Sequence, residues 1–391
     1  MRILQVVPWF STGKAASGYV QAVYNVSREL VKRGHGVEVY TSNFLDGKRK
    51  MENDSLVIGQ IKVNYFNYIM RHYTFFLTPS MIPAVRKNLK EFDVIHIHDF
   101  RTFQNIIIHY YSRKYRVPYI LQARGSLPRI MAWQRLKWVY DVLFGYRLLR
   151  DASKVIALTR VEAEQYRHMG VPEEKITIIP NGIDLSEYAE LSPKGSFKKK
   201  FNIPEDKKII LYLGRIHKTK GIDFLVRAYA HLINEMNFKD AVLVIVGPDG
   251  GFLGEVKSLV QSLGISRLVM FTGPLYGNEK LSAYVDSDVV VLPSRYETFP
   301  NVVLEAYACS KPVVASNVEA IPDIVLHGKT GLLFQAGDVK GLANAIAYML
   351  THSEEAERMG RNARRLVEER SSIDRVVTQL EALYEKVLNK N

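Results

Sequence analysis

Read from its amino terminus, the chain alternates short apolar runs with amphipathic stretches. RILQVVP (2–8) has the continuous apolar character of a strand buried on both faces. Residues 18–33 then carry Val20, Val23, Tyr24, Val26, Leu30 and Val31 at helical spacing, Gly34 supplies the stop, and VEVYTS (37–42) reads as the next strand. DVIHIH (93–98), YILQA (119–123), KVIAL (154–158) and ITIIP (176–180) continue the series. The second half repeats the rhythm in KIILYLG (208–214), AVLVIVG (241–247), LVMFTG (268–273), DVVVLP (288–293) and PVVAS (312–316), with helical stretches such as DFLVRAYAHLINEM between them. Near-continuous Val/Ile/Leu strands separated by helices predict α/β domains whose parallel sheets are covered on both faces. In such sheets ligands bind outside the carboxyl ends of the strands.

The turn-rich and then basic stretch PNGIDLSEYAELSPKGSFKKK (180–200) marks a boundary, dividing the chain into 1–185 and 186–371. The last segment, 372–391, is amphipathic, with Val376, Leu380, Leu383, Tyr384 and Val387 on one face. A ligand is expected in a cleft between two such domains. The length, 391 residues, suits two or three domains with their own cores. One cysteine, Cys309, leaves no internal disulfide. MRILQVVPWF is interrupted by Pro8 too soon for a signal peptide, and no apolar run reaches the roughly 18 residues of a membrane span. A cytoplasmic protein is expected, peripheral on a membrane at most.

Charge changes the picture. The net charge is +13, and residues 1–185 hold 27 Lys/Arg against 15 Asp/Glu, while 186–391 hold 26 against 25. Between 101 and 150 ten basic residues face one acid, Asp141. This asymmetry points to an anionic partner for the first half. The segment 127–150 mixes Trp133, Trp138, Tyr140, Phe144 and Tyr146 with Arg129, Arg135, Lys137, Arg147 and Arg150, and NYIMRHYTFFLTPSMIP (67–83) adds aromatics. Such a surface suits an interface with anionic lipid; core aromatics with solvated cations are the alternative. No recognition motif accompanies the charge, which argues against nucleic acid.

Several short stretches carry candidate chemistry. GRIHKTKG (214–221) follows a strand and opens a helix, so Gly214 permits a tight turn and Arg215 and Lys220 project from a strand's carboxyl end. Guanidinium, ammonium and helix amides together suit a diphosphate, although a solvated loop pair has the same sequence. In ETFPNVVLEAYACSKPVVAS (297–316), Glu297 and Glu305 form E-x7-E, with Glu305 between Leu304 and Ala306 in an apolar helix starting near Asn301. A carboxylate there is costly unless hydrogen-bonded. A ribose diol would supply the partner; a neighbouring Arg or a backbone amide is the alternative. The amides of Asn301 and Val302 would point at an anion. Gly18 starts the first helix, where a phosphate or sugar could approach closely. STGK (11–14) fails as a P-loop, because Pro8 stands at the first glycine position and Ala15 replaces Ser/Thr. DSD (286–288) and HIHD (96–99) read as structural and polar-cluster residues rather than as metal ligands, so no metal site is expected.

In order and spacing, GRIHKTKG, VIVGPDG, FTGPL, DVVVLPSRYETFPNVVLEAYACSKPVVAS and HGKTGLLF resemble glycosyltransferase family 4. In the first half Gly18, GHGVEVYT, FDVIHIHD, ALTRVEAEQY and PNGID agree too, so the resemblance spans nearly the whole chain. It implies the GT-B architecture: two Rossmann-like, doubly wound domains facing across a cleft, with the last helix (372–391) crossing back to the first. It also implies a retaining, metal-independent transferase with no cofactor beyond a UDP- or GDP-sugar co-substrate. Arg215 and Lys220 would hold the donor diphosphate, Glu305 the ribose and Glu297 the transferred sugar. Phe299, Asn301 and Val302 would contribute amides, with Gly214 and Gly18 at close approaches. Catalysis would rest on Arg215, Lys220 and Glu297, and acceptor or sugar binding on His98 and Arg124. The sequence departs from the family pattern at Arg124-Gly125, where many members have His-Gly, at Pro300 in place of Gly, and at Asp323 in place of Glu. Expected partners are a glycan or lipid-linked acceptor and an anionic membrane, in polysaccharide or glycoconjugate biosynthesis. A sugar-nucleotide 2-epimerase, or a non-catalytic membrane-bound partner protein on the same scaffold, are the competing readings.

Overall fold

The computed structural model describes residues 1–10, 18–46, 49–72, 75–130 and 133–389. STGK (11–14) with Ala15, and Met131 of the aromatic segment, lie outside them. The chain forms two compact units: Met1–Gly182 joined by Ile373–Asn391, and Ile183–Ser372.

The first unit is built on an eight-stranded sheet. Its order is Ile176–Ile178, Lys154–Ala157, Tyr119–Gln122, Val94–His98, Arg2–Trp9, Gly36–Ser42, Ile61–Phe66 and Ser55–Ile58. Neighbours pair in parallel except the last, which is antiparallel. Alternation along Arg2–Trp9 sends Leu4 and Val6 to one core, and Ile3 and Val7 to another that includes the helices Gly18–Lys32 and Ile373–Leu388. The last helix buries Val376, Leu380, Leu383, Tyr384 and Val387. Arg33 bridges Glu29 and Glu381 at 3.2 and 2.6 Å, and His35 meets Glu381 at 2.8 Å, which ties that helix to the first unit. Ile61–Phe66, Ser55–Ile58 and Gly331–Phe334 are strands that a search for continuous apolar runs does not find. IKVNYF alternates buried and part-exposed positions because it lies near the sheet edge, and Gly331–Phe334 is itself an edge strand.

The second unit has a six-stranded, fully parallel sheet: Val269–Gly273, Ala241–Val246, Lys208–Leu213, Val289–Leu292, Val313–Ser316 and Gly331–Phe334. The chain builds outward from Lys208–Leu213 in one direction, then returns to its other side with Val289–Leu292. In open parallel sheets such a reversal is where ligands bind, outside the carboxyl ends of the strands. The loops leaving the two strands are 214–221 and 293–300. Both units are therefore Rossmann-like.

Candidate functional site

Gly221 holds the two loops of the second unit together. Its φ is +64°, and a Cβ there would sit 1.9 Å from the carbonyl oxygen of Pro293, so only glycine allows the approach. Arg295 fastens the same junction. Its amide donates to the Thr219 carbonyl at 2.8 Å, and its guanidinium forks onto the Asp223 carboxylate at 2.7 and 2.6 Å while lying 3.9 Å from the Phe224 ring centroid. Ser316 Oγ donates to the Ser294 carbonyl at 2.6 Å.

Within this frame Lys220 Nζ meets Glu297 Oε2 at 2.6 Å, and Ser294 Oγ donates to the same oxygen at 3.3 Å. Glu297 is 8% exposed. Two residues that the sequence treats as separate contacts are thus one ion pair. Arg215 is different. Its side chain is exposed and makes no hydrogen bond or ion pair with the described residues. Its stem passes Gly250 so closely that a Cβ there would lie 2.8 Å from Arg215 Cγ, which explains a glycine in VIVGPDG. Burial, then the charges of Arg215 and Lys220, lower the pKa of His217, keeping that imidazole neutral beside two cations. Burial, followed by the Glu297 charge, raises that of Tyr212.

Asn301–Ala308 is a helix preceded by Pro300, with Asn301 and Val302 part-exposed in its first turn and Phe299 buried beside it. The first amides of a helix lack intrahelical acceptors, so this end can receive an anion. Glu305 corrects the expectation that its partner comes from a ligand: Lys280 Nζ lies 2.9 Å from Oε1 and the Tyr284 hydroxyl donates to Oε2 at 2.8 Å. Both partners stand one turn apart on the helix Gly277–Asp286. No local pattern announced them, since their proximity to Glu305 depends on how two helices pack. Glu305 keeps partial exposure, and each of its oxygens can accept further bonds.

Asp286 and Asp288 serve the backbone. Asp286 accepts from the amides of Gly195, Phe197 and Lys198 at 2.6, 2.8 and 3.0 Å, and Asp288 from that of Ile209 at 2.7 Å. Among the described residues no group of three or more His, Cys, Asp or Glu side chains is arranged to hold a metal ion.

In the first unit Gly18 opens its helix and His98 ends the strand beside Arg2–Trp9, at that sheet's own reversal point. His98 and Arg124 are brought together: Arg124 Nε donates to His98 Nδ1 at 3.1 Å. Asn181, Gln5 and Tyr384 complete this cluster; Asn181 lies within PNGID, Tyr384 is read from the sequence only as part of the apolar face of the last helix, and nothing local marks Gln5. His96, fully buried, has a pKa pushed down to about 3, first by burial and then by the Arg124 charge. The unfolded imidazole takes a proton near its ordinary 6.5, so between those values the unfolded state binds more protons. Stability should fall as pH drops from about 6.5 toward 3. Urea midpoints at about pH 7 and pH 5 are expected to lie closer together in His96→Gln than in the parent; an identical gap would contradict this origin.

Similarity to known proteins extends over both units. Residues 193–366 match the family described as Glycosyl transferases group 1, and residues 16–187 match Glycosyltransferase Family 4. An N-acetyl-alpha-D-glucosaminyl L-malate synthase of Bacillus anthracis is 27% identical over 381 residues, covering 93% of this chain and 92% of its own. A D-inositol 3-phosphate glycosyltransferase of Actinosynnema mirum is 33% identical over 208 residues, 51% of this chain and 50% of that protein. The Anabaena Alr3699/HepE structure in complex with UDP superposes with a TM-score of 0.80 at 21% identity, over 99% of this chain and all of that one. The chain belongs to glycosyltransferase family 4 and is a glycosyltransferase of GT-B type.

Proposed function

We propose that the protein transfers a sugar, with retention of anomeric configuration and without a metal ion, from a UDP- or GDP-sugar to a hydroxyl of a glycan or lipid-linked acceptor in polysaccharide or glycoconjugate biosynthesis. The carrying observation is the arrangement at the reversal point of the second unit: an Arg215 side chain with no partner among the described residues, the Lys220–Glu297 pair and the first turn of Asn301–Ala308. In this reading the second unit binds the donor and the first the acceptor. The diphosphate lies against Arg215, Lys220 and the amides near Phe299, Asn301 and Val302, which stabilise the charge that grows as the glycosidic bond breaks. Glu305, held by Lys280 and Tyr284, accepts the ribose hydroxyls. Glu297 orients the sugar, Gly18 and Gly214 allow close approach, and Arg124, positioned by the buried His98 that the sequence offered as a second contact, binds acceptor or sugar. The departing phosphate takes the acceptor's proton, so no dedicated base is needed. The UDP in the Anabaena structure supports a nucleotide donor. Thermal shift across UDP-, GDP- and ADP-sugars tests this: a rise with UDP- or GDP-sugars is expected, and no response to any would remove the donor site.

The site of action in this reading is cytoplasmic, on an anionic membrane. No helix among the described residues is long and apolar enough to cross a bilayer. Yet Trp133, Leu136, Trp138, Val139, Val142, Leu143, Phe144 and Tyr146 are all between 37% and 58% exposed. The helix Gln134–Tyr140 buries none of its residues. Exposed Arg135, Arg147 and Arg150 are interspersed, a combination that favours anionic lipid over a neutral surface. The protein is expected to sediment with anionic vesicles at low salt and not with neutral ones, and the double variant Trp138→Ser, Leu143→Ser to lose at least about fivefold in affinity. Absence of sedimentation with anionic vesicles would exclude this surface as a docking face.

A further inference from the structure

The carboxyl ends of Arg2–Trp9, Val94–His98 and Tyr119–Gln122 gather a polar cluster on the face covered by the last helix. Gln5, His96 and His98 are at most 1% exposed. The two imidazoles stack with centroids 4.2 Å apart. Tyr384 Oη bonds His96 Nδ1 at 2.8 Å, and His98 Nε2 lies 2.6 Å from the amide oxygen of Gln5. Arg124 Nε can only donate, so His98 Nδ1 accepts, and the proton of His98 sits on Nε2 facing the Gln5 oxygen. His98 is therefore neutral, in keeping with burial lowering its pKa well below the ordinary value.

The hydrogen-bond partners of the Arg124 guanidinium among the described residues are thus both neutral. Besides His98 its partner is Asn181 Oδ1, 2.8 Å from Nη1, and the Tyr19 ring lies 5.4 Å from its guanidinium carbon. The nearby carboxylate, Glu162, gives its oxygens to the amides of Gly125 and Leu158 at 2.6 and 2.7 Å. No carboxylate among the described residues bonds the guanidinium, and Nη2 has no hydrogen-bond partner there. Burial lowers the pKa of Arg124, and the charge of Glu162, which acts in the opposite direction, offsets that only in part. Its backbone is held at φ +52°, an uncommon state for a residue with a side chain. A cavity of about 10 Å³ beside His96, His98, Arg124 and Asn181 has room for roughly one water, so a larger group meets the guanidinium from outside it.

We propose that Arg124 is the receptor for an anionic oxygen group, a phosphate or carboxylate, carried by the acceptor or by the transferred sugar. The geometry suits it: a planar fork whose Nε and Nη1 are fixed by His98 and Asn181 leaves its remaining donors pre-oriented for such a group. His98 and Asn181 are positioning residues in this arrangement. The identity of the molecule that carries the anion rests on the glycosyl-transfer reading; the charge requirement does not.

The test is calorimetric titration of the full chain and of Arg124→Gln with two probe pairs. Glucose 6-phosphate against glucose, with the donor site first saturated with UDP, reads an anion on the acceptor. UDP-glucuronate against UDP-glucose reads a carboxylate on the transferred sugar. Arg124→Gln is expected to weaken the anionic member of one pair at least tenfold, to leave its neutral partner unchanged, and to bind UDP as the parent does. The pair that responds identifies the source. Equal affinities in parent and variant for both anionic probes overturn the proposal. A chain that ignores UDP altogether refutes the donor site instead, and the glucose 6-phosphate arm still reports on Arg124. Should Arg124→Gln fail to fold, Arg124→Lys is titrated in its place. Its ammonium keeps the charge and loses the fork, so a smaller loss, about threefold or more, supports the role and no loss overturns it.

Discussion

Arg215→Ala is expected to cut turnover by about 10²–10³-fold while leaving thermal stability at the parental value. The asymmetry follows from its surroundings. The guanidinium is exposed and engages no described side chain, so its removal exposes no buried partner and leaves no cavity. What disappears is positive charge at the place where the leaving diphosphate becomes more negative. Lys220→Ala should behave differently and lose both. Lys220 neutralises Glu297, which is 8% exposed and, among the described residues, keeps Ser294 Oγ at 3.3 Å as its one side-chain donor once the ammonium is gone. An uncompensated buried carboxylate costs about 3 kcal/mol. Steady-state kinetics with the donor identified by thermal shift, alongside melting curves, separates the two. Full activity in Arg215→Ala would remove it from the reaction, and an unchanged melting temperature in Lys220→Ala would show that Glu297 does not depend on it.

Asp141→Ala should produce the largest loss of stability on the first unit, about 3–5 kcal/mol. Asp141 is fully buried, and its two oxygens accept from Arg101 Nε and Nη2 at 2.8 and 2.7 Å. Arg101 also donates to the carbonyls of Ser126 and Leu127. The one acid among the eleven charges of residues 101–150 is therefore an internal staple, and the exposed Arg113 and Arg150 pair instead with Asp151, at 3.5 and 3.0 Å. It stands in the π-helical turn Asp141–Gly145, between helices that carry the exposed aromatic residues. Alanine strands a cation that is 10% exposed. The double variant Arg101→Met, Asp141→Leu removes both charges at similar volume and should recover most of the loss. Urea unfolding followed by tryptophan fluorescence reads this, because Trp9, Trp133 and Trp138, the three tryptophans of the chain, all belong to the first unit. A single variant within about 0.5 kcal/mol of the parent would contradict the staple.

The two predictions mark what was legible in the sequence. GRIHKTKG reads correctly as a strand, a turn and a helix entrance because Gly and alternating apolar residues act over a few positions. The same local logic located the E-x7-E helix at Asn301 and the amphipathic last helix. It also read DSD as structural, and Asp286 and Asp288 do bond backbone amides, those of Gly195 and Ile209 among them, although sequence alone does not reach such distant partners. It could not anticipate Lys280 and Tyr284 on Glu305. They lie 25 and 21 residues away, on a helix whose facing side is chosen by packing. Nor could it pair Tyr384 with His96 across 288 residues.

What the sequence determined by itself is the periodic pattern: which segments are buried strands, which are amphipathic helices, and the chain order of motifs that fits a GT-B glycosyltransferase. That much depends on short-range sterics and on which side chains avoid water. The tertiary structure alone decided who neutralises whom. Among the described residues Lys220 is paired while the Arg215 side chain is not, Glu305 already has two protein partners, and the hydrogen-bond partners of Arg124 are neutral. Charge compensation is a matter of distances of about 3 Å between atoms remote in sequence, and in a low-dielectric interior those distances govern both stability and the appetite for a ligand.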